Sequence, residues 1–322
     1  MNLNNSEIFN ENKYVLHRIK FFILILLEIP AVLISLLIFI FFRTHRSRLK
    51  IRQNGSICLL LIVNFIKLST DIPMTIHFFY FHYVIPAIST YCTWWTFLAY
   101  SLSSICEFLT AIISIQRHIL IFQPNLLQIR LRRYILYYSP LLLCIIYPII
   151  FYMFAIIFYP CDGTQWIFTE NGCGFANCYF IYDKVLSTFD WLVNNGLPIV
   201  IILVANIALV VRVIKEKYQR QQIITWRKQR RLTLQLMGVS SLFLIAWLPS
   251  LIIALVQQLI SPEFALQIQL DYITELIYLL YLLLPWICLG LLPECVKWIS
   301  KKLSARRIVI NIVRPITIHN GI

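Results

Sequence analysis

Hydrophobic and polar positions along this chain alternate on the scale of whole helices. Seven apolar blocks, at about 19–42, 57–82, 94–120, 134–159, 186–213, 232–259 and 273–292, are separated by polar breaks. Each block is near or above the ~20 residues that an α-helix needs to cross a hydrocarbon layer. The pattern predicts an all-α membrane protein built as a seven-transmembrane helix bundle.

Composition supports that class and excludes others. Of 322 residues, 60% are hydrophobic and only 13% are charged. A soluble domain of this length carries about 25% charged residues. The first 18 residues are polar and include Lys13 and Arg18, so the first block reads as a span and not as a cleaved leader. The expected organisation is an outer tail at 1–18, a seven-helix bundle at 19–293, and a short tail at 294–322.

The formal net charge of +14 matters through its distribution, and nucleic acid is not an expected partner. The first break, "RTHRSRLKIRQN", the third, "QPNLLQIRLRR", and the fifth, "KEKYQRQQIITWRKQRR", are basic, as is the tail that begins "ECVKWISKKLSARR". With Arg212 counted at the edge of the fifth, these segments hold 22 of the 28 Lys and Arg residues, which places them on the cytoplasmic side. The N-terminus is then outside and the C-terminus inside. That requires an odd number of spans and agrees with seven. The Asn4-Asn5-Ser6 sequon would face outward, and Asn54-Gly55-Ser56 inward.

The cysteines divide the same way. Cys92, Cys161, Cys173 and Cys178 fall on the outer side, where oxidation is allowed, while Cys58, Cys106, Cys144, Cys288 and Cys295 lie within spans or inside. A bridge from Cys92 to the long fourth break would tie that loop over the bundle. Four cysteines allow three pairings, and sequence leaves open whether Cys92 meets Cys173 or Cys178.

Arg117 follows Cys92 by 25 residues along the third block. Gln116-Arg117-His118 is followed by Ile121 and Pro124; "FLIAWLP" carries Phe243, Trp247 and Pro249; Pro198 lies in the fifth block. "NGSICLLLIVN" holds Asn54, Leu60 and Asn64, and "LLPWIC" holds Pro285. In order and spacing this set resembles the rhodopsin-like (class A) G-protein-coupled receptors over roughly residues 19–306. The segment "ECVKWISKKL" resembles the family's short amphipathic helix eight.

The resemblance implies a plasma-membrane receptor that passes an outer ligand's binding to a heterotrimeric G protein, with the bilayer as its solvent and no cofactor. It assigns G-protein coupling to Arg117, Gln116, His118, Ile121 and Pro124. It assigns the activation switch to Trp247, Phe243, Pro249, Pro198 and Pro285, because prolines free backbone carbonyls and permit local kinks.

The departures from the family pattern are concentrated in its switches. Gln116 replaces the acid before Arg117, and Gln229 stands where many relatives put an acid facing that Arg. Asn206 and Cys288 occupy the places of a supporting Tyr pair. Asn64 and Cys106 replace the Asp and Ser of the usual sodium pocket, so sodium regulation is not expected. Glu107 adds an unusual carboxyl beside Pro198 and Phe243, as a switch component or a structural hydrogen bonder.

Ala99 stands where amine receptors carry an Asp, and Tyr278 lies in the region of the retinal-binding Lys of opsins. Asp71, Asp190 and Glu275 lie toward the outer half and suggest an acidic cavity for a cationic or amidated peptide. The competing reading is internal pairing, with Lys67 one turn from Asp71. A small-solute transporter would need internal repeats, which are not visible. Enzyme motifs such as H-E-x-x-H and G-x-S-x-G are missing too, so an enzyme is not expected. A receptor-like protein without coupling is the remaining alternative.

Overall fold

The computed structural model describes residues 3–45, 51–122, 129–219, 223–261, 264–265, 268–292 and 294–302. Its architecture is helical, with no strand among the described residues. The long helices are α1 (Leu3–Thr44), α2 (Ile51–Phe81), α3 (Ser89–Phe122), α4 (Arg130–Ile157), α5 (184–219), α6 (Ile223–Leu259) and α7 (269–291). Six carry an unbroken window long and apolar enough to cross a membrane. Thr274–Gly290 of α7 meets that measure together with the short helix α8, Glu294–Lys302, from which it is bent by 84°, and this pair supplies the seventh. The seven-helix expectation and the short following helix are both met.

Helix α3 is the axis of the bundle. It contacts α2, α4, α5 and α6, and 67% of its most apolar window is buried, against 28% for α1 at the periphery. The outward faces carry large apolar side chains such as Phe22, Leu26 and Leu143. A water-soluble monomer rarely exposes such a continuous apolar surface, whereas hydrocarbon requires one.

Prolines account for part of the irregular turns. Helix α4 widens to π geometry at Tyr134–Tyr138 and at Met153–Ile157, and α5 at Asp190–Gly196. Each widened segment contains the residue four before a proline, namely Pro140, Pro160 and Pro198. Within a helix, as at Pro140 and Pro198, a proline cannot donate to that carbonyl and its ring presses on it, so the turn opens; Pro160 lies past the end of α4, and the π turn at Gln269–Ile273 has no proline four residues on.

Helix α1 starts well before the apolar block at residue 19. No Gly or Pro interrupts residues 3–29, so a helix nucleated in the apolar span extends outward at small cost per residue. Arg18 Nη2 donates to the Tyr14 hydroxyl at 2.6 Å across one turn of that extension.

The loop between α4 and α5 is pinned at several points. Cys92 is bonded to Cys173 and Cys161 to Cys178, with Cα separations of 5.8 and 6.2 Å. Residues 172–175 have φ between +52° and +74°, and Gly172 and Gly174 flank Cys173 in this left-handed turn. A Cβ at Gly172 would stand 2.5 Å from the Phe175 ring. The Val84 N–H donates to the Phe168 carbonyl at 2.9 Å, which holds the loop against the end of α2.

Candidate functional site

A cavity of about 460 Å³ opens at the Cys92 end of the bundle, within the size range of small-ligand sites. Helices α2 to α7 all contribute to its wall, and Phe175 and Phe180 of the disulfide-pinned loop line it. Trp247, Tyr278 and Ala99 line its deeper part and are buried.

Two charged side chains line the cavity, and they satisfy each other. Lys67 Nζ donates to Asp71 Oδ2 at 2.6 Å, to Ser103 Oγ at 3.0 Å and to the Ala99 carbonyl at 3.3 Å. The ammonium also lies 4.7 Å from the centre of the Tyr281 ring. Asp71 Oδ1 accepts from Trp95 Nε1 at 3.0 Å. All three ammonium protons and both carboxylate oxygens therefore have partners.

The other two outer acids do not line this cavity. Asp190 is fully buried, and its carboxylate accepts from the Tyr152 hydroxyl at 2.8 Å, the Tyr179 hydroxyl at 3.0 Å and Asn194 Nδ2 at 2.6 Å. It clamps α4, α5 and the short loop helix Cys178–Tyr182 together. Burial first, then the neighbouring Asp190 charge, hold the Tyr179 hydroxyl well above its ordinary range. Glu275 pairs with Lys20 at 3.2 Å and faces a separate small cavity of about 50 Å³ with Lys13 and His17.

The expected acidic cavity is therefore corrected. The carboxylates occur at the expected depth, but each is neutralised or sealed by a partner on its own or another helix. Among the described residues, what remains for a ligand is uncharged: Asn195, Gln257, Gln258, Gln269, Ser250 and Thr274 among aromatic walls.

The switch residues cluster beneath the cavity. Phe243 is buried and meets the Tyr281 ring edge-on, with centroids 6.5 Å apart. Pro249 and Pro285 lie inside α6 and α7, and Pro198 begins the regular part of α5. Glu107 is fully buried, and neither carboxyl oxygen has a hydrogen-bond partner among the described residues. Asn64 Nδ2 donates to the Tyr281 carbonyl at 3.1 Å.

At the opposite end of α3, Arg117 is 3% exposed and held inside the bundle. Gln116 Nε2 donates to the Tyr137 carbonyl at 2.9 Å, and Gln116 Oε1 lies 2.9 Å from Ser56 Oγ. Ser56 Oγ is in turn 3.0 Å from the Tyr137 hydroxyl. His118 Nε2 lies 2.7 Å from the Ala205 carbonyl and must carry a proton to bond it. Thus Gln116 ties α3 to α2 and α4, and His118 ties it to α5. Ile121 lies in α3, but its side chain, that of Gln229 and all of Pro124 lie outside the described residues.

A family model described as 7 transmembrane receptor (rhodopsin family) matches residues 35–287. The chain belongs to this family. A search of curated proteins finds no match.

Within the rhodopsin family's frame, several working residues escaped the sequence reading. Ser56, Tyr137, Tyr152 and Tyr179 are polar contacts between different helices or a helix and the loop, and carry no periodic signature. The one available signal was position: each polar atom falls in or beside an apolar block, where an unsatisfied group is costly.

Proposed function

We propose that this rhodopsin-family receptor relays binding of an extracellular ligand to a heterotrimeric G protein. It would sit in the plasma membrane with its N-terminus outside, as the basic breaks favour. The carrying observation is one continuous helix, α3, that spans from the ligand cavity to a buried arginine. Ala99 lines the cavity at one end, and Arg117 is held at the other between Gln116 and His118. On this reading Trp247 and Phe243 repack about Pro249 when ligand enters, with Pro198 and Pro285 letting α5 and α7 follow. The inner ends then part, and Arg117, with Gln116, His118, Ile121 and Pro124, faces the G protein.

The ligand reading follows from the lining. With Lys67 and Asp71 saturating each other, a cationic group finds no free carboxylate among the described lining residues, which disfavours the cationic peptide. Amide side chains both donate and accept, as Asn195 and the three glutamines can. They complement an amidated peptide end with an aromatic residue beside it.

The test is basal nucleotide exchange on a panel of purified G proteins, with the receptor in lipid discs, wild type against Arg117→Glu. Exchange that disappears in the variant supports coupling and names the G-protein class. Silence across the panel, even with a library of amidated peptides, overturns coupling and leaves a receptor-like protein. Free-acid peptides acting as well as amidated ones would overturn the ligand reading alone.

A further inference from the structure

One acid of the spans has no place in the bundle interior. Glu28 is the sixteenth of the 32 residues of the α1 span, Lys13–Thr44, and so lies near mid-membrane. Asp71, Glu107 and Asp190 are fully buried inside the bundle, whereas Glu28 is half-buried, with Leu26 and Ile29 beside it exposed. Among the described residues no hydrogen bond or ion pair reaches its carboxyl; the ion pairs are Lys20–Glu275 and Lys67–Asp71.

Two ring contacts fix the flank of α1 that carries Glu28. Phe21, seven residues earlier, meets Tyr80 of α2 at 5.4 Å, and Phe39, eleven residues later, meets Phe65 of α2 at 5.6 Å. Spacings of seven and eleven return to the same face of a helix. Glu28 therefore lies at the edge of the α1–α2 contact, on the least covered of the six unbroken spans, 28% buried. A carboxyl there is badly placed alone. Ionised, it is a bare charge in hydrocarbon; protonated, it leaves a hydroxyl and a carbonyl unbonded. A cation on a neighbouring helix meets both needs. Among the described residues this chain offers none: its Lys and Arg lie toward the ends of the spans, except Lys67, which is 2% exposed and already paired. A two-fold pair of copies would set this face against itself, acid against acid. The complement belongs to a different chain.

We propose that the α1–α2 edge at Glu28 docks a transmembrane helix of another protein that carries Lys or Arg at mid-span, with that cation on the Glu28 carboxylate. Phe21, Ile25 and Val32 lie on the same flank within two turns and are only partly buried, so they supply the apolar part of the contact. The charge pair sets the depth and the identity of the partner; the apolar flank sets its tilt against α1.

The probe is a single-span peptide of Leu and Ala with one Lys at its centre, and the control is the same peptide with Leu there. The full chain, with a donor fluorophore at its C-terminus, is placed in phosphatidylcholine vesicles at neutral pH. Energy transfer is read against the mole fraction of acceptor-labelled peptide. The Lys peptide should half-saturate at a mole fraction about tenfold below that of the Leu peptide, the scale of a hydrogen bond between charged groups. Glu28→Gln keeps the shape and removes the charge; it should bring the two peptides together while melting like wild type. Moving the Lys two turns along the peptide should do the same. Equal transfer from the Lys and Leu peptides overturns the proposal and leaves Glu28 a protonated group facing lipid. So does a preference that survives Glu28→Gln. Transfer between two labelled copies of the chain that is lost in Glu28→Gln overturns the choice of partner and makes the occupant a second copy. No readout here involves nucleotide exchange, so failure would leave the G-protein reading untouched.

Discussion

Replacing Lys67 with Met removes one partner of the ion pair in the cavity at the Cys92 end. The side chains of Lys67 and Asp71 are 2% and 0% exposed and their charges lie 2.6 Å apart. At an effective dielectric of about 20, that separation corresponds to roughly 6 kcal/mol of attraction. Desolvation offsets much of it, yet removing one member of such a pair costs about 3–5 kcal/mol, because the other is left buried and bare. Here the loss falls on the carboxylate. Ser103 Oγ keeps its bond to the Ala99 carbonyl at 2.7 Å, and Asp71 Oδ1 keeps Trp95, but Oδ2 is left without a partner. The melting temperature should fall by roughly 6–20 °C, at about 2–4 °C per kcal/mol. A thiol-reactive fluorophore can follow the melt, since Cys106, Cys144 and Cys288 are free and buried. Lys67→Met/Asp71→Leu should recover to within about 2 kcal/mol of wild type, as apolar replacements of buried pairs do. A single variant that melts within about 3 °C of wild type would refute the reasoning. It would mean that Asp71 is open to water and to a cationic ligand.

Three further outcomes are expected. Tyr179→Phe and Tyr152→Phe should each destabilise the loop end by about 1.5–3 kcal/mol, with less than additive loss in the double variant because both serve Asp190; additive losses in a melting series would separate them. Glu107→Gln should melt within about 1 kcal/mol of wild type, since neither carboxyl oxygen has a bond for the amide to lose; a loss of several kcal/mol would reveal a charge-dependent partner. Partial burial first, and Arg18 second, hold His82 below its ordinary imidazole value, and its Nδ1 lies 3.0 Å from that of His17. The unfolded chain then takes up a proton near pH 6.5 while the folded His82 resists it until lower pH. Stability from this group is complete above about pH 6.5 and declines below it. His82→Asn tolerates the φ of +58° and should flatten that decline between pH 7 and 5; equal slopes in the two melting series would remove His82 as the cause.

The spans were legible because membrane thickness imposes a length and an apolar composition on each, and both can be read without knowing any neighbour. The spacing from Cys92 to Arg117 was legible for the same reason, since one unbroken helix converts residue number into depth. The chemistry between helices was not. Lys67–Asp71 could be weighed in advance because the two are four residues apart on one helix. Lys20–Glu275 joins α1 to α7, and the Asp190 clamp collects hydroxyls from α4 and from a five-residue helix in the loop. Those pairings depend on how helices are rotated about their axes, which hydropathy does not encode. Thus three acids at similar depth read as an acidic cavity when each is in fact closed off. The disulfides were undetermined for a related reason: the loop's left-handed turn at 172–175, which presents Cys173 to Cys92, is set by local glycine geometry and not by spacing along the chain.

The same placement bears on how signal would pass. Helix α3 has neither Gly nor Pro from Ser89 to Phe122, while α5, α6 and α7 carry Pro198, Pro249 and Pro285. The stiff element is the axis, and the bendable ones surround it. On the proposed relay, movement at the cavity would therefore reach the Arg117 end as displacement of α6 and α7 against α3, not as bending of α3 itself. One contact resisting that displacement is the hydroxyl pair Ser114–Ser240, 3.3 Å apart, in the inner half of α3. A neutral hydrogen bond contributes about 1 kcal/mol, whereas breaking a buried ion pair costs several. With Gln116 bonded sideways to Ser56 and Tyr137, no carboxylate precedes Arg117 to hold it back. Loss of that local restraint should raise the population of the open form without ligand, and for that reason basal exchange is the readout chosen for coupling.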